Sequence, residues 1–194
     1  MAAQVDPFDE GLFLQRDWLT PEHEQDLLEE IEKQEWNTKI SRRTQHYGRE
    51  YVYSKKTTAG KAPPLDTVPE IEHVGNLLFK YHFFDRVPEE ALVNEYYRNQ
   101  GIAAHTDAKV FGPVVVSISL NADCVMKLSH PTRCPVPIDI FLPRRSLLVM
   151  EDAVRYEWKH EIPKTVRYFD DEGVQHTKPD DYRRISLTYR TFAR

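Results

Sequence analysis

Two cysteines in 194 residues, Cys124 and Cys134, are too few for a disulfide framework, and neither belongs to a CxxC or to a Cys/His cluster suited to zinc. No stretch approaches the roughly 20 apolar residues that a membrane helix needs. The opening MAAQVDPFDEG is acidic and has no apolar core, so no secretory signal is expected. Both cysteines are therefore read as reduced thiols of a cytosolic or nuclear protein with no membrane partner. Internal repeats, low-complexity segments and domain linkers are also absent. What remains is ordinary globular material, 40% hydrophobic and 29% charged, long enough to bury a substantial core. The expected organisation is one domain over 1–194, with N-terminal helices and a lid in 1–88 and a β-rich core in 89–194.

The net charge of −5 hides an asymmetry. Residues 22–35 (EHEQDLLEEIEKQE) are heavily acidic, whereas residues 39–61 carry seven Lys or Arg against one Glu. Binding follows the local field, so overall acidity does not exclude a nucleic-acid partner. Thr20-Pro21 predicts a helix start, a capping hydroxyl followed by proline at the first helical position, with Leu27, Leu28 and Ile31 at helical spacing. A second amphipathic helix is predicted from about Pro69 to Lys80, with Ile71, Val74, Leu77 and Leu78 inward. After Pro88 short apolar or alternating segments follow: 91–97, 114–120, 125–128, 137–142, 146–150 and 185–190. Many short strands at close intervals predict a barrel or a two-sheet jelly roll. Arg144 and Arg145 are candidate structural partners for carboxylates.

His105-Thr106-Asp107 carries the first chemical signal. On a strand, residues i and i+2 point the same way, so an imidazole and a carboxylate can meet one metal while Thr106 turns aside. Non-heme iron takes two histidines and a carboxylate on one face and keeps the other positions open; His160 is the natural third ligand. In RRISLTYR, Arg184, Ser186, Thr188 and Arg190 share one strand face and make an anion-binding wall, since the guanidinium fork matches a carboxylate. An H-x-D alone is a weak motif, and the end of a chain is often an exposed strand; the conjunction of triad and arginines is what points to an iron oxygenase with a dicarboxylate cosubstrate.

These residues resemble the AlkB family of Fe(II)/2-oxoglutarate-dependent dioxygenases over most of the chain, from about residue 39 onward. The family's Asn-x-Tyr appears as Asn94 and Tyr96, its H-x-D as His105 and Asp107, its distal histidine as His160, and its R-x5-R as Arg184 and Arg190. The resemblance implies a double-stranded β-helix, mainly β, with the N-terminal helices on one sheet and a basic nucleotide-recognition lid. It implies Fe(II) on His105, Asp107 and His160, and 2-oxoglutarate on Asn94, Tyr96, Arg184, Ser186 and Arg190; which arginine takes which end stays open.

RRTQHYGREYVYS (42–54), LPRRSLLVM (142–150) and RYEWKH (155–160) are similar to the branch that hydroxylates wobble uridines in tRNA. The implied substrate is 5-methoxycarbonylmethyluridine, and the implied partner is RNA. Arg42, Arg43, Arg49, Lys55 and Lys56 would neutralise phosphates, with His46, Tyr47 and Tyr51 as stacking faces for an unpaired base. The sequence shows neither the RNA-recognition nor the methyltransferase domain that accompanies the animal enzyme of that branch, so a separate tRNA methyltransferase or RNA-binding protein is an expected partner. Lys109 stands two residues after the metal aspartate, where base-repair members often place an acid; a lysine there would disfavour a cationic methylated base. Glu161 replaces the usual glycine after the distal histidine. Oxidative demethylation of N-methylated bases in RNA or single-stranded DNA is the alternative, a non-catalytic RNA-binding module is the alternative of another class, and protein hydroxylation is less favoured by the basic aromatic lid.

Overall fold

A computed structural model of the protein describes residues 6–49 and 62–194. Its elements, in chain order, begin with β1 (Leu12–Gln15), α1 (Pro21–Glu32), β2 (Thr44–Gly48) and α2 (Pro69–Lys80). Then come β3 (Glu90–Tyr97), β4 (Ile102–His105), β5 (Phe111–Leu120), β6 (Cys124–His130), β7 (Cys134–Leu142) and β8 (Leu147–Met150). The chain finishes with α3 (Asp152–Tyr156), β9 (Lys159–Ile162), the hairpin β10 (Arg167–Phe169) and β11 (Gln175–Thr177), and β12 (Arg183–Phe192).

The strands form a six-stranded sheet in the order β1-β8-β5-β12-β3-β2 and a four-stranded sheet in the order β4-β9-β6-β7, with antiparallel neighbours throughout. This is the jelly roll that the strand pattern predicts. One correction concerns its composition: β1 and β2 come from the first 88 residues, expected to supply only helices and lid, so the large sheet draws on both parts of the chain.

Both predicted helices form. Thr20 caps α1, its hydroxyl accepting from the His23 amide at 3.2 Å. Leu27 and Ile31 of α1, with Ile71, Val74 and Leu78 of α2, pack on Val116, Ile118, Ile185, Leu187 and Tyr189 of the large sheet. Leu77 is only half-buried, at the margin of that layer. A second apolar layer, with Val115, Met126, Leu128, Leu148, Met150 and Trp158, lies between the sheets, where Val115, Met126 and Met150 border a cavity. Alternation along β12 decides the rest: its odd residues feed the helix layer, which leaves Arg184, Ser186, Thr188 and Arg190 facing the other sheet.

Two buried acids join these layers. Glu24, fully buried, accepts from Arg144 Nε at 2.7 and 2.8 Å and from the Asn121 amide at 2.7 Å, and Arg145 pairs with Asp17; both arginines have the structural partners expected of them. Glu30 compensates for a helix start that has no cap of its own. Val68, at the head of α2, offers no side-chain acceptor, and the Glu30 carboxylate reaches across to accept from the Ile71 amide at 2.9 Å and the Glu70 amide at 3.2 Å. It satisfies orphan donors and places a negative charge at the positive end of the helix. Replacing Glu30 with alanine should therefore destabilise the fold by about 1–2 kcal/mol. Urea titration of the variant measures this, and an unchanged midpoint would show that water caps α2 equally well.

Candidate active site

Between the sheets lies a cavity of about 700 Å³, and the predicted metal and cosubstrate residues all line it. His105 and His160 are direct cross-strand partners on β4 and β9, which brings their ring centroids to 4.2 Å. His160 Nε2 is 3.9 Å from Asp107 Oδ2. Only His105 of the H-x-D belongs to a strand; β4 ends there, and Asp107 sits on the loop beyond it. Strand alternation therefore does not aim Asp107, as the motif alone suggested. The loop is aimed by hydrogen bonds instead. The Thr106 hydroxyl, on a residue that lines the cavity beside its two neighbours, donates to the Trp158 carbonyl at 3.0 Å.

Arg155, buried on α3, fixes the same loop from the other side. It donates to the carbonyls of Asp107 (3.1 Å), Ala108 (2.9 Å), Phe111 (3.3 Å) and Gly112 (3.2 Å). One guanidinium thus serves four backbone acceptors of this loop and the start of β5. Trp158, fully buried, roots the approach to His160 by donating its indole N–H to Glu10 at 2.8 Å. Glu161 alternates out of the cavity next to His160 and sits opposite Lys127 in the sheet.

The arginines of β12 have different surroundings. Arg190 is wholly buried and held by Glu90, with Nε to Oε2 at 2.7 Å and Nη2 to Oε1 at 3.1 Å. Its Nη1 donates to Asp107 Oδ1 at 2.8 Å, and the guanidinium lies 3.9 Å over the Phe111 ring centre. Arg184, equally buried, has no carboxylate beside it among the described residues. Its Nη2 donates to Ser119 Oγ at 2.9 Å, its guanidinium lies 5.6 Å from the Tyr96 ring centre, and its Nε has no hydrogen-bond partner. A buried cation with an idle donor is costly unless an anion completes it. Ser117 and Ser119 of β5, which the strand alternation of VVVSISL could have revealed, continue the same wall: Ser117 bonds Ser186 at 2.9 Å and accepts from Thr188 at 3.3 Å.

The protonation states suit a divalent metal. Burial alone would raise the Asp107 carboxyl, but the charge of Arg190 beside it holds it below the ordinary value, so it is an anion. Burial pushes His160 down to about 4, which leaves a neutral imidazole with a lone pair to give. His105 has Nδ1 at 2.8 Å from the Ala103 carbonyl; with the proton on that nitrogen, Nε2 is free to ligate. Among the described residues no three His, Cys, Asp or Glu side chains have closed into a metal-holding cluster. The fit therefore rests on the donor set, two imidazoles and one carboxylate brought to one cavity from β4, its following loop and β9.

The basic stretch divides. Arg42 lines the cavity, its Nε donating to Asn94 Oδ1 at 3.0 Å. His46 lines it too, with Nδ1 unpartnered; burial, then the charges of Arg190 and Arg42, push it down to about 4. Arg43 is committed to Glu95, at 2.5 and 2.8 Å, and lies over Trp36, so it is not a free phosphate contact. Tyr47 is a correction: it is 2% exposed under α1 and α2, its hydroxyl donating to Gln45, and it presents no stacking face to a base. Arg49 is exposed and rests on the Phe192 ring. Tyr51, Lys55 and Lys56 lie outside the described residues. Lys109 is exposed and does not line the cavity, so it does not exert the repulsion of a cationic base expected of it. Lys164, which nothing in the motif pattern singled out, lines the mouth just past β9.

Comparison with known proteins agrees with this geometry. The family model described as the 2OG-Fe(II) oxygenase superfamily matches residues 11–190. An uncharacterized mimivirus protein, L905 of Acanthamoeba polyphaga mimivirus, is 30% identical over 182 residues, covering 93% of this chain and 84% of that one. The tRNA (carboxymethyluridine(34)-5-O)-methyltransferase alkbh8 of Xenopus tropicalis is 34% identical over 174 residues, covering 82% of this chain but 26% of that protein. This chain thus corresponds to about a quarter of that relative. The solved structure of OsALKBH1 matches with a TM-score of 0.65 over 94% of this chain and 97% of that one; at 14% identity the likeness is one of fold.

Proposed function

Because this chain belongs to the 2OG-Fe(II) oxygenase superfamily and its relatives are AlkB homologues, we propose that His105, Asp107 and His160 hold its iron and that it oxidises a modified uridine at the wobble position of tRNA. The protein is a dioxygenase, and Fe(II) and 2-oxoglutarate are its cofactors. With both bound, dioxygen puts one oxygen atom into a substrate C–H bond as C–OH, and the other oxidises 2-oxoglutarate to succinate and carbon dioxide.

The observation that carries the site assignment is the contrast between the two arginines. Arg184, with its idle Nε and no acid beside it, takes the far carboxylate of 2-oxoglutarate; Tyr96, Asn94 and the Ser186 hydroxyl stand along the same wall. Arg190, already held by Glu90, orients Asp107 at the metal end. The Ala103 carbonyl fixes the His105 tautomer, and burial keeps His160 unprotonated. Leu92, Val115, Met126, Met150 and Ile162 line the remaining wall with apolar groups that exclude water from the reacting carbon.

The substrate reading rests on the basic residues of the cavity lining. Arg42 and His46 come from the basic stretch that resembles a nucleotide-recognition lid, and a base reaches such a site only after leaving its stack. The name of the Xenopus relative, with which this chain shares 34% identity, points to modified wobble uridine. The simplest substrate is 5-methoxycarbonylmethyluridine, with RNA as the partner.

Nucleoside mass spectrometry tests the reading. Protein loaded with Fe(II) and 2-oxoglutarate is incubated with tRNA containing 5-methoxycarbonylmethyluridine, N1-methyladenine and N3-methylcytidine, beside a His105→Ala control. The expected result is a gain of one oxygen on the wobble uridine, absent in the control. Loss of methyl groups from the adenine and cytidine, with the uridine untouched, would replace this reading by demethylation.

A further inference from the structure

Glu90 belongs to none of the sequence motifs, yet it stands directly behind one of their arginines. It opens β3, is 1% exposed and does not line the cavity. It is the cross-strand partner of Arg190 on β12, and two hydrogen bonds join the pair, Nε to Oε2 at 2.7 Å and Nη2 to Oε1 at 3.1 Å. The Phe111 ring centre, 3.9 Å from the guanidinium, covers one flat face of the same group. Held in this way, Arg190 turns Nη1 to Asp107, at 2.8 Å from Oδ1. The other oxygen of Asp107 is treated differently. Oδ2 accepts no hydrogen bond from a described residue and lies on the His160 side, 3.9 Å from Nε2. A buried guanidinium favours the forked arrangement, two N–H groups on the two oxygens of one carboxylate. Arg190 makes that fork with Glu90 and only a single contact with Asp107.

Resting on the assignment of the metal to His105, Asp107 and His160, we propose that Glu90 is a positioning residue for the iron site: by occupying the Arg190 fork it confines that arginine to Oδ1 and leaves Oδ2 of Asp107 to the metal. Without the Glu90 charge, the carboxylate that Arg190 already touches is Asp107. A fork turned onto Asp107 would set both of its oxygens against guanidinium N–H groups, in competition with the metal. Charge acts in the same direction. Glu90, Arg190 and Asp107 are two acids and one arginine, one net negative charge in all. Loss of the Glu90 charge leaves a neutral arginine–aspartate pair, which attracts a divalent cation less. Partners that fix a ligating group from behind typically change metal affinity 10- to 100-fold when they are removed, roughly the range expected here.

The test titrates the protein with Co(II), a probe that accepts imidazole and carboxylate donors and reports its binding by visible absorption. Glu90→Gln keeps the size of the side chain without its charge, and should raise the Co(II) dissociation constant about tenfold while RNA affinity stays as in wild type. Adding Arg190→Met to Glu90→Gln removes the guanidinium that would turn onto Asp107. The double variant should recover Co(II) affinity to within about threefold of wild type, a coupling that neither change shows alone. A structural role alone gives the reverse order, since two buried substitutions then do at least as much harm as one. Wild-type Co(II) affinity in Glu90→Gln would overturn the proposal, and so would a double variant that binds more weakly than the single one. A Glu90→Gln protein that does not fold, judged by circular dichroism, would make Glu90 a structural partner of Arg190 and overturn it as well. Asp107→Ala separates this proposal from the reading beneath it. That variant should lose the Co(II) spectrum; if it binds Co(II) as wild type does, the metal assignment itself falls and takes the role of Glu90 with it.

Discussion

Asp107→Ala abolishes oxidation of the substrate. Losing the single anionic ligand removes several kcal/mol of metal-dependent stabilisation, so product formation should fall at least about a thousandfold. The fold should survive the change. Arg190 loses one acceptor, but its bidentate contact with Glu90 keeps the buried guanidinium paired, and Arg155 holds the loop through main-chain carbonyls that the substitution leaves in place. The variant should therefore give the wild-type circular dichroism spectrum and bind RNA with unchanged affinity while producing no succinate. A variant that kept more than a tenth of wild-type turnover would mean that the iron is not held at His105, Asp107 and His160.

Arg184→Met should separate stability from activity. The wild-type guanidinium is fully buried with one hydroxyl acceptor and an idle Nε, a poor state for a cation in the absence of its anion. Methionine fills similar volume without charge, so the cosubstrate-free variant should be as stable as wild type or more stable, by up to about 1–3 kcal/mol. The same change removes the forked contact with the far carboxylate and should raise KM for 2-oxoglutarate about a hundredfold, the worth of a buried charge-assisted pair. Thermal melts with and without 2-oxoglutarate read both halves: wild type should gain Tm on adding it, and the variant should not. An equal ligand-induced rise in the variant would move the far carboxylate to another partner, and a large loss of stability without ligand would show that Arg184 is a structural cation.

Much of this arrangement was legible from local patterns. The helix start at Thr20-Pro21 and the second helix at Pro69–Lys80 follow from capping chemistry and apolar spacing, and the long strands β3, β5 and β12 from alternation. Apolar pattern alone marks neither β4 nor β9, which carry the two histidines; only the H-x-D spacing set His105 on a strand. IAAH and KHEI are four residues long and mostly half-exposed, with no apolar run to mark them. Their pairing is a tertiary fact, as is the aiming of Asp107 by Arg155. Tyr47 departs from its expected exposure for a structural reason. TQHYG alternates, with Thr44 and His46 towards the cavity and Gln45 and Tyr47 under the helices. The surrounding charge drew attention to a surface lid, while the period of two already described a strand of the large sheet. Arg184 and Arg190 look equivalent in sequence, and only Glu90, four residues before Asn94 on the neighbouring strand, tells them apart.

The two halves of the cavity differ in how replaceable they are. Residues for the reagent sit on β12, interior to the large sheet, where every second side chain is locked into the helix layer and a shift of register would ruin both faces. The residues proposed for the target, Arg42 and His46, sit just before and on β2, an edge strand of that sheet. Inherited variation can rework the second group while the first stays fixed. A scaffold divided in this way can change its target from one sheet edge without rebuilding its oxidising chemistry, and swaps confined to positions 42 and 46 are the economical route to redirecting it by design.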